Sequence, residues 1–250
     1  MDPKELFIAA YQKYITRPGA ESLLNWLLST DFFEAPASSK YHSSFSGGLV
    51  RHTLNVFDRM RQNCVYEFGM ACGGSIPFPE SETESIAVVA LLHDICKADF
   101  YQTEFKNRKI YSEYGTHRDN RGTYSWESVP VYTIAEKFPF GHGEKSVFLI
   151  CEHMRLTREE AMAIRYHMGD FSDRNTGKVY EMCPLALQLH VADLQATYLD
   201  EEQTAHLLTA LNQESTQYQV IVKLLLYTGM RRGELCGLEW KDIDFERALI

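Results

Sequence analysis

His52, His93, Asp94, His142, His167 and Asp193 follow one another over about 140 positions in the order His, His-Asp, His, His, Asp. Imidazoles and carboxylates in this number are expensive to bury unless they are paired, hydrogen-bonded or bound to a cation. Nitrogen and oxygen donors drawn from distant segments suit divalent transition metals, and a pair of such ions can activate water for hydrolysis. A two-metal hydrolytic site is therefore the chemistry to which these residues point.

The flanking sequence strengthens that expectation. In SIAVVALLHDICKADF the helix is otherwise apolar, so His93 and Asp94 are adjacent polar groups in a core-like segment. Lys97 falls at i+4 and i+3 from them, which brings three ionisable side chains onto one face. In GGLVRHTLNVFDRM, His52 shares a helical face with Leu49, Val56 and Met60. In CPLALQLHVADLQATYL, Asp193 shares one with Ala186, Leu189 and Ala196. A histidine on an apolar face is commonly a hydrogen-bonded core residue, but a carboxylate there is harder to satisfy without a cation. His117, His153, His190 and His206 have no convergent partners in the pattern, although His190 lies one turn before Asp193.

These motifs resemble the HD-domain superfamily, whose metal signature is His, His-Asp, Asp, here His52, His93-Asp94 and Asp193. The resemblance runs over roughly 40–202 and includes GGLVRHTLNV, LLHDICK and LHVADLQATYLDE. GHGEKS and AIRYHMGD add His142 and His167, which resemble the extra pair of members that hold two ions. The resemblance implies His52, His93, Asp94 and Asp193 on one ion, with Asp94 bridging to a second held by His142 and His167. Nitrogen-rich ligand sets favour Mn, Fe, Co, Ni or Zn over Mg. It further implies a phosphohydrolase that cleaves a phosphomonoester or phosphodiester in a nucleotide, cyclic dinucleotide or short oligonucleotide by metal-activated hydroxide. Asp94 and Lys97 would be catalytic, Lys97 by neutralising phosphate or metal-bound anion. Lys145, beside a helix N-terminus, and Tyr101 and Arg108, both in the preceding segment 101–140, are candidate substrate contacts. The same ligand set serves di-iron oxygenases of the inositol-oxygenase type, and a nucleotide-binding module without turnover is the third alternative.

The elements needed to gather these side chains read as mainly α: an HD-type helical bundle with an inserted β-hairpin and a small C-terminal helical appendage. Helical periodicity predicts helices at about 3–15, 20–29, 48–68, 82–98, 144–153, 157–168, 184–199 and 203–212. Capping-box patterns begin at Asp2, Ser81 and Thr157, and Pro184 suits a first turn. Between 101 and 140, aromatic and β-branched residues alternate with polar ones around glycine-containing turns, which predicts a hairpin. Lys106, Arg108, Lys109, Arg118 and Arg121 make it locally basic, as a lid over an anionic substrate would be. Tyr101, Trp126 and Tyr132 could stack on a nucleobase, although hairpin aromatics more often pack on their own face. The domain reading is 1–206 for the bundle and 207–250 for the tail.

The tail carries a separate resemblance. LLLYTGMRRGELCGLEWKDIDF is similar to the first catalytic box of tyrosine recombinases, in which the arginine corresponding to Arg231 contacts the scissile phosphate. No HxxR box or nucleophilic tyrosine follows Arg231 in these 250 residues, so recombination is not expected.

Bulk properties set the outer limits. With 45% hydrophobic and 24% charged residues the chain reads as soluble and globular. A formal charge of -9 disfavours a broad face for long nucleic acid and leaves a small phosphorylated, nucleotide-derived substrate as the expected partner. Cys64, Cys72, Cys96, Cys151, Cys183 and Cys236 form no CxxC pair, which fits reduced thiols in a cytoplasmic protein. No apolar run approaches the length of a membrane span.

Overall fold

The computed structural model describes residues 2–41, 43–71, 80–169, 173–198, 209–228, 237 and 239, with backbone only for 64–71, 80–83 and 224–228. Two compact units divide the chain, Met1–Tyr198 and Leu199–Ile250. The first contains α1 (Pro3–Tyr14), α2 (Ala20–Ser29), α3 (Gly48–Ala71) and α4 (Glu80–Leu92), followed by a 3₁₀ turn at Ile95–Lys97. Next come β1 (Tyr101–Tyr111), β2 (His117–Asp119) and β3 (Gly122–Ile134), then α5 (His142–Cys151), α6 (Arg158–Tyr166), α7 (Thr176–Met182) and α8 (Pro184–Tyr198). The architecture is mainly α with one small three-stranded antiparallel sheet. In the second unit, α9 spans Thr216–Thr228. Of the expected helix 203–212, residues 209–211 are helical and 203–208 lie outside the described residues. Arg231 and Cys236 also lie outside them. No described helix is long and apolar enough to cross a membrane.

α4 is the axis of the first unit. Ile86, Ala87, Val88, Val89, Ala90, Leu91 and Leu92 are all buried, so this helix is apolar on every side, as an element enclosed by others must be. It packs against α1, α3, α6 and α8. The sequence predicts a helix continuing to 98, whereas α4 stops at Leu92. The chain tightens there into i+3 bonding, with Lys97 N–H donating to Asp94 O at 3.0 Å and Ala98 N–H to Ile95 O at 3.0 Å. It then turns through Asp99 at φ 53°, where Asp31 and Asp99 each accept the other's backbone N–H. The departure from helical geometry lets two successive polar side chains, His93 and Asp94, both face the interior. α7 has no counterpart in the sequence reading. Its seven residues carry too few apolar positions for a period to show, and among them Val179 and Thr176 are buried.

Polar locks hold the bundle. Thr157 and Glu160 form the expected reciprocal capping box of α6. Asp2 caps α1 through Lys4 N–H alone. Glu160 is fully buried and takes both guanidinium nitrogens of Arg17 at 2.7 Å, as well as the Ser85 hydroxyl at 2.7 Å. One carboxylate thus ties the α1–α2 connection, α4 and α6. Ser81 lies among the backbone-only residues, and Glu84, at the far end of that predicted box, accepts the backbone N–H groups of Thr16 and Arg17.

The insertion is an arm. β1 and β3 pair from Tyr101↔Ile134 to Tyr111↔Tyr124, and β2 adds three residues to the other edge of β3. Alternation then puts Tyr101, Phe105, Lys109 and Tyr111 on one face with Tyr132, Trp126 and Tyr124. These aromatics pack on one another, Tyr124 against Trp126 at 5.9 Å between centroids, with the Lys109 ammonium 4.2 Å above Tyr124. Residues 102–108 are exposed throughout, so this stretch projects into solvent.

Burial pushes the Glu160 pKa up, but the hydrogen bonds from Arg17, Ser85 and Thr157 outweigh it and hold the group below its ordinary 4.5. A carboxyl whose pKa is lower folded than unfolded contributes fully above the unfolded value, and loses that contribution as pH falls through the folded one. Arg17→Met should therefore lower stability at neutral pH by about 2 to 3 kcal/mol, less than for a wholly buried pair because Arg17 keeps some solvent contact. Thermal unfolding should show a drop of roughly 8 °C, and the acid-side slope below pH 4.5 should flatten in the variant. An unchanged melting temperature would show that the lock contributes nothing.

Candidate metal centre

Asp94 is the focus. Its carboxylate, almost wholly buried, lies 2.7 Å from His142 Nε2 and 3.6 Å from His167 Nε2 through Oδ1. Oδ2 lies 2.7 Å from Lys97 Nζ, 3.5 Å from His93 Nε2 and 3.7 Å from His52 Nε2. Asp193 faces the same space, with Oδ1 3.0 Å from His52 Nε2 and 3.9 Å from His93 Nε2. All the residues singled out as ligands in the sequence are thus gathered, from α3, the end of α4, α5, the end of α6, and α8.

Local sequence explains how each is aimed. Gly47 has φ 78°, and a Cβ on Gly48 would collide with the Ser43 carbonyl, so the Gly-Gly pair is what allows α3 to start close enough to present His52. Gly143 plays the equivalent role beside His142. A Cβ there would strike the Ile164 and Arg165 carbonyls, so glycine lets α5 approach the end of α6 that carries His167. His190 donates Nδ1–H to the His167 carbonyl at 2.7 Å and braces that turn from α8. His153 instead meets Ser22, and His117 lies on the arm. His206 lies outside the described residues.

The histidine tautomers follow from their partners. His93 Nδ1 is 2.8 Å from the Ala90 carbonyl and His167 Nδ1 is 2.7 Å from the Ile164 carbonyl. A carbonyl can only accept, so each Nδ1 carries the proton, and in the neutral ring Nε2 presents a lone pair. Both Nε2 atoms are buried and lack a hydrogen-bond donor, yet face the Asp94 carboxylate. Burial lowers the His93 pKa more than Asp94 raises it, which keeps the ring neutral. Two lone pairs set against a carboxylate repel unless a cation lies between them, so the donor set fits a metal ion.

The carboxylates remain ionised. Burial works to raise the Asp94 pKa, but the Lys97 ammonium and the hydrogen bond from His142 hold it well below the ordinary range. Asp193 is likewise held down against burial, by the hydrogen bond from His52. Lys97 is raised, the attraction of Asp94 exceeding the effect of burial.

Among the described residues, two overlapping groups have ligand atoms within 4.8 Å of one another: His52, His93 and Asp94, and Asp94, Cys96 and His142. Asp94 belongs to both. Cys96 is the residue that sequence reasoning passed over, because a search for paired cysteines gives no weight to a single one two positions after Asp94. Its Sγ is 3.3 Å from His142 Nδ1. Burial and the Asp94 charge push its pKa up to about 12, so without a cation it is a neutral thiol.

The remaining sequence-derived residues stand apart to different degrees. Tyr101 borders the centre at the root of the arm, where burial raises its pKa against the effect of Lys97, and its hydroxyl is 3.4 Å from the Ala37 carbonyl. Lys145 is buried and turned to Glu136 at 2.8 Å, with its ammonium over Phe100. Arg108 is exposed on β1, seven residues from Tyr101, which at about 3.3 Å per residue is up to roughly 23 Å along the arm. An apolar cleft of about 520 Å³ lined by Phe140, Phe148, Met162 and Tyr166 contains none of the cluster.

Metal-free protein should gain stability when Mn, Co or Zn is added, by about 2.7 kcal/mol at a hundred times the dissociation constant. Asp94→Asn, which belongs to both groups, should abolish the shift. A melting temperature indifferent to millimolar metal would rule out a cation at this cluster.

Residues 197–250 match the Phage integrase family, a span that nearly coincides with the second compact unit. No HD-domain family model matches the chain. No curated protein and no solved structure matches it.

Proposed function

We propose that the first unit is an HD-type metal-dependent phosphohydrolase acting on a phosphomonoester or phosphodiester of a nucleotide, cyclic dinucleotide or short oligonucleotide. The observation that carries this reading is the convergence of four imidazoles, two carboxylates and one ammonium on a buried space, with two nitrogen lone pairs lacking donors. His52, His93, Asp94 and Asp193 would hold one divalent ion, and Asp94, His142 and His167 a second. When bound, such ions would supply Lewis acidity, lowering the pKa of water so that hydroxide is available near neutral pH and stabilising negative charge on phosphoryl oxygen.

The chain's own groups account for the rest. The Nδ1–H bonds to Ala90 and Ile164 lock two imidazoles in the orientation that leaves Nε2 facing inward, so neither of these rings would need to turn to accept a cation. Lys97, held against Asp94 at 2.7 Å, would balance the charge of an incoming phosphate. Tyr101, at the root of the arm, would meet the phosphate's remaining substituent. Lys145 would reach phosphate only by leaving Glu136, and Arg108 only if the substrate extends along the arm.

The test is a phosphoester panel run with full-length protein reconstituted with Mn, Fe, Co, Ni or Zn. Product release should require metal and fall roughly a thousandfold in Asp94→Ala, the scale of several kcal/mol of charge stabilisation. Arg108→Ala should leave mononucleotide turnover unchanged and raise KM severalfold for an oligonucleotide long enough to follow the arm. Retained turnover in Asp94→Ala, or iron-dependent dioxygen consumption without phosphoester cleavage, would overturn the hydrolase reading.

A further inference from the structure

We propose that Cys96 is a sulfur ligand in the half of the centre formed by Asp94, His142 and His167, which makes that position selective for a thiophilic ion such as Fe, Co or Zn over Mg or Mn. The inference rests on the metal reading above and deepens it.

Cys96 Sγ lies 3.3 Å from Nδ1 and 3.7 Å from Nε2 of His142, and that Nε2 lies 2.7 Å from Asp94 Oδ1. Two ligands on one ion at 2.0–2.3 Å are separated by about 3–4 Å; the 3.7 Å from Sγ to Nε2 is of that size, while the 2.7 Å from Nε2 to Asp94 Oδ1 is a hydrogen bond whose proton a shared cation would replace. An independent observation points into the same space. His167 Nε2 is buried, lacks a hydrogen-bond donor and lies 3.6 Å from Asp94 Oδ1, with its ring centroid 5.4 Å from that of His142.

The backbone places the sulfur. Asp94 and Cys96 are two apart at the 3₁₀ turn, and Cys96 N–H donates to Ser146 Oγ at 3.2 Å, which ties the turn to α5 next to His142. The carboxylate–imidazole–thiol order also resembles a nucleophilic arrangement. However, Cys96 is 2% exposed, which leaves a substrate's electrophilic atom no approach to the sulfur.

On binding, the thiol proton leaves to solvent and the sulfur shares the freed electron pair with the ion, so no oxidant or reductant is involved. Thiolate is a softer donor than the carboxylate and imidazole beside it, and its preference for Fe, Co and Zn follows.

The test is titration of metal-free, reduced full-length protein with cobalt(II) chloride. Visible ligand-field bands should rise together with a near-ultraviolet sulfur-to-cobalt charge-transfer band. Cys96→Ser should lose the charge-transfer band, keep the ligand-field bands and bind cobalt at least tenfold more weakly, while Cys151→Ser should match the parent. X-ray absorption on the zinc-loaded parent protein should show a sulfur shell at about 2.3 Å, a readout that needs no variant to fold. Ligand-field bands without a charge-transfer band, or a charge-transfer band that persists in Cys96→Ser, would overturn the sulfur ligand and leave the metal centre standing. No cobalt uptake by the parent protein would overturn both.

Discussion

One carboxylate, that of Asp94, sits at the electrostatic centre of the first unit, and the surrounding structure answers the problem it poses. A charged oxygen pair removed from water needs compensating charge or donors on every side. Lys97 supplies one full charge and His142 one close contact. The neighbouring imidazoles of His93 and His167 have already spent their protons on their own helices, and they turn acceptors toward the acid. The arrangement is therefore incomplete as a protein-only hydrogen-bond network and could hold a cation.

The helical frame follows from that need. An apolar helix, α4, runs through the middle of the unit and ends where His93 and Asp94 must both face inward, so its last turn gives way to a 3₁₀ turn. Glycines at 47, 48 and 143 remove side chains where α3 and α5 must come close to their neighbours. The Arg17–Glu160 pair fastens α6 to the α1–α2 connection and α4, and so steadies the helix at whose end His167 sits. Rigidity in these supports matters because ligands a fraction of an ångström out of place bind metal poorly.

The arm and the second unit add separate features. The arm's aromatic face is partly satisfied by contacts within itself, and at its root the Tyr101 hydroxyl feels the charge of Lys97. The match of residues 197–250 to the Phage integrase family belongs to the second unit and carries no residue of the cluster described in the first.

Periodicity and local chemistry determined a large part of this protein before any coordinates. The apolar run 86–92 specified a central helix, alternation specified the hairpin, and Thr157 with Glu160 specified where α6 begins. Polar residues stranded on apolar faces marked His52, His93, Asp94 and Asp193, because burial without a partner is costly whatever the fold. Tertiary structure alone decided that Glu160 belongs to Arg17, that Lys145 belongs to Glu136, and that Cys96 lies against His142. Each of those pairings, apart from the short one within 136–145, joins segments far apart in the chain or depends on where a helix breaks. Spacing along a sequence reports which residues share a face of one element, while the partner across a core is set by how several elements pack at once.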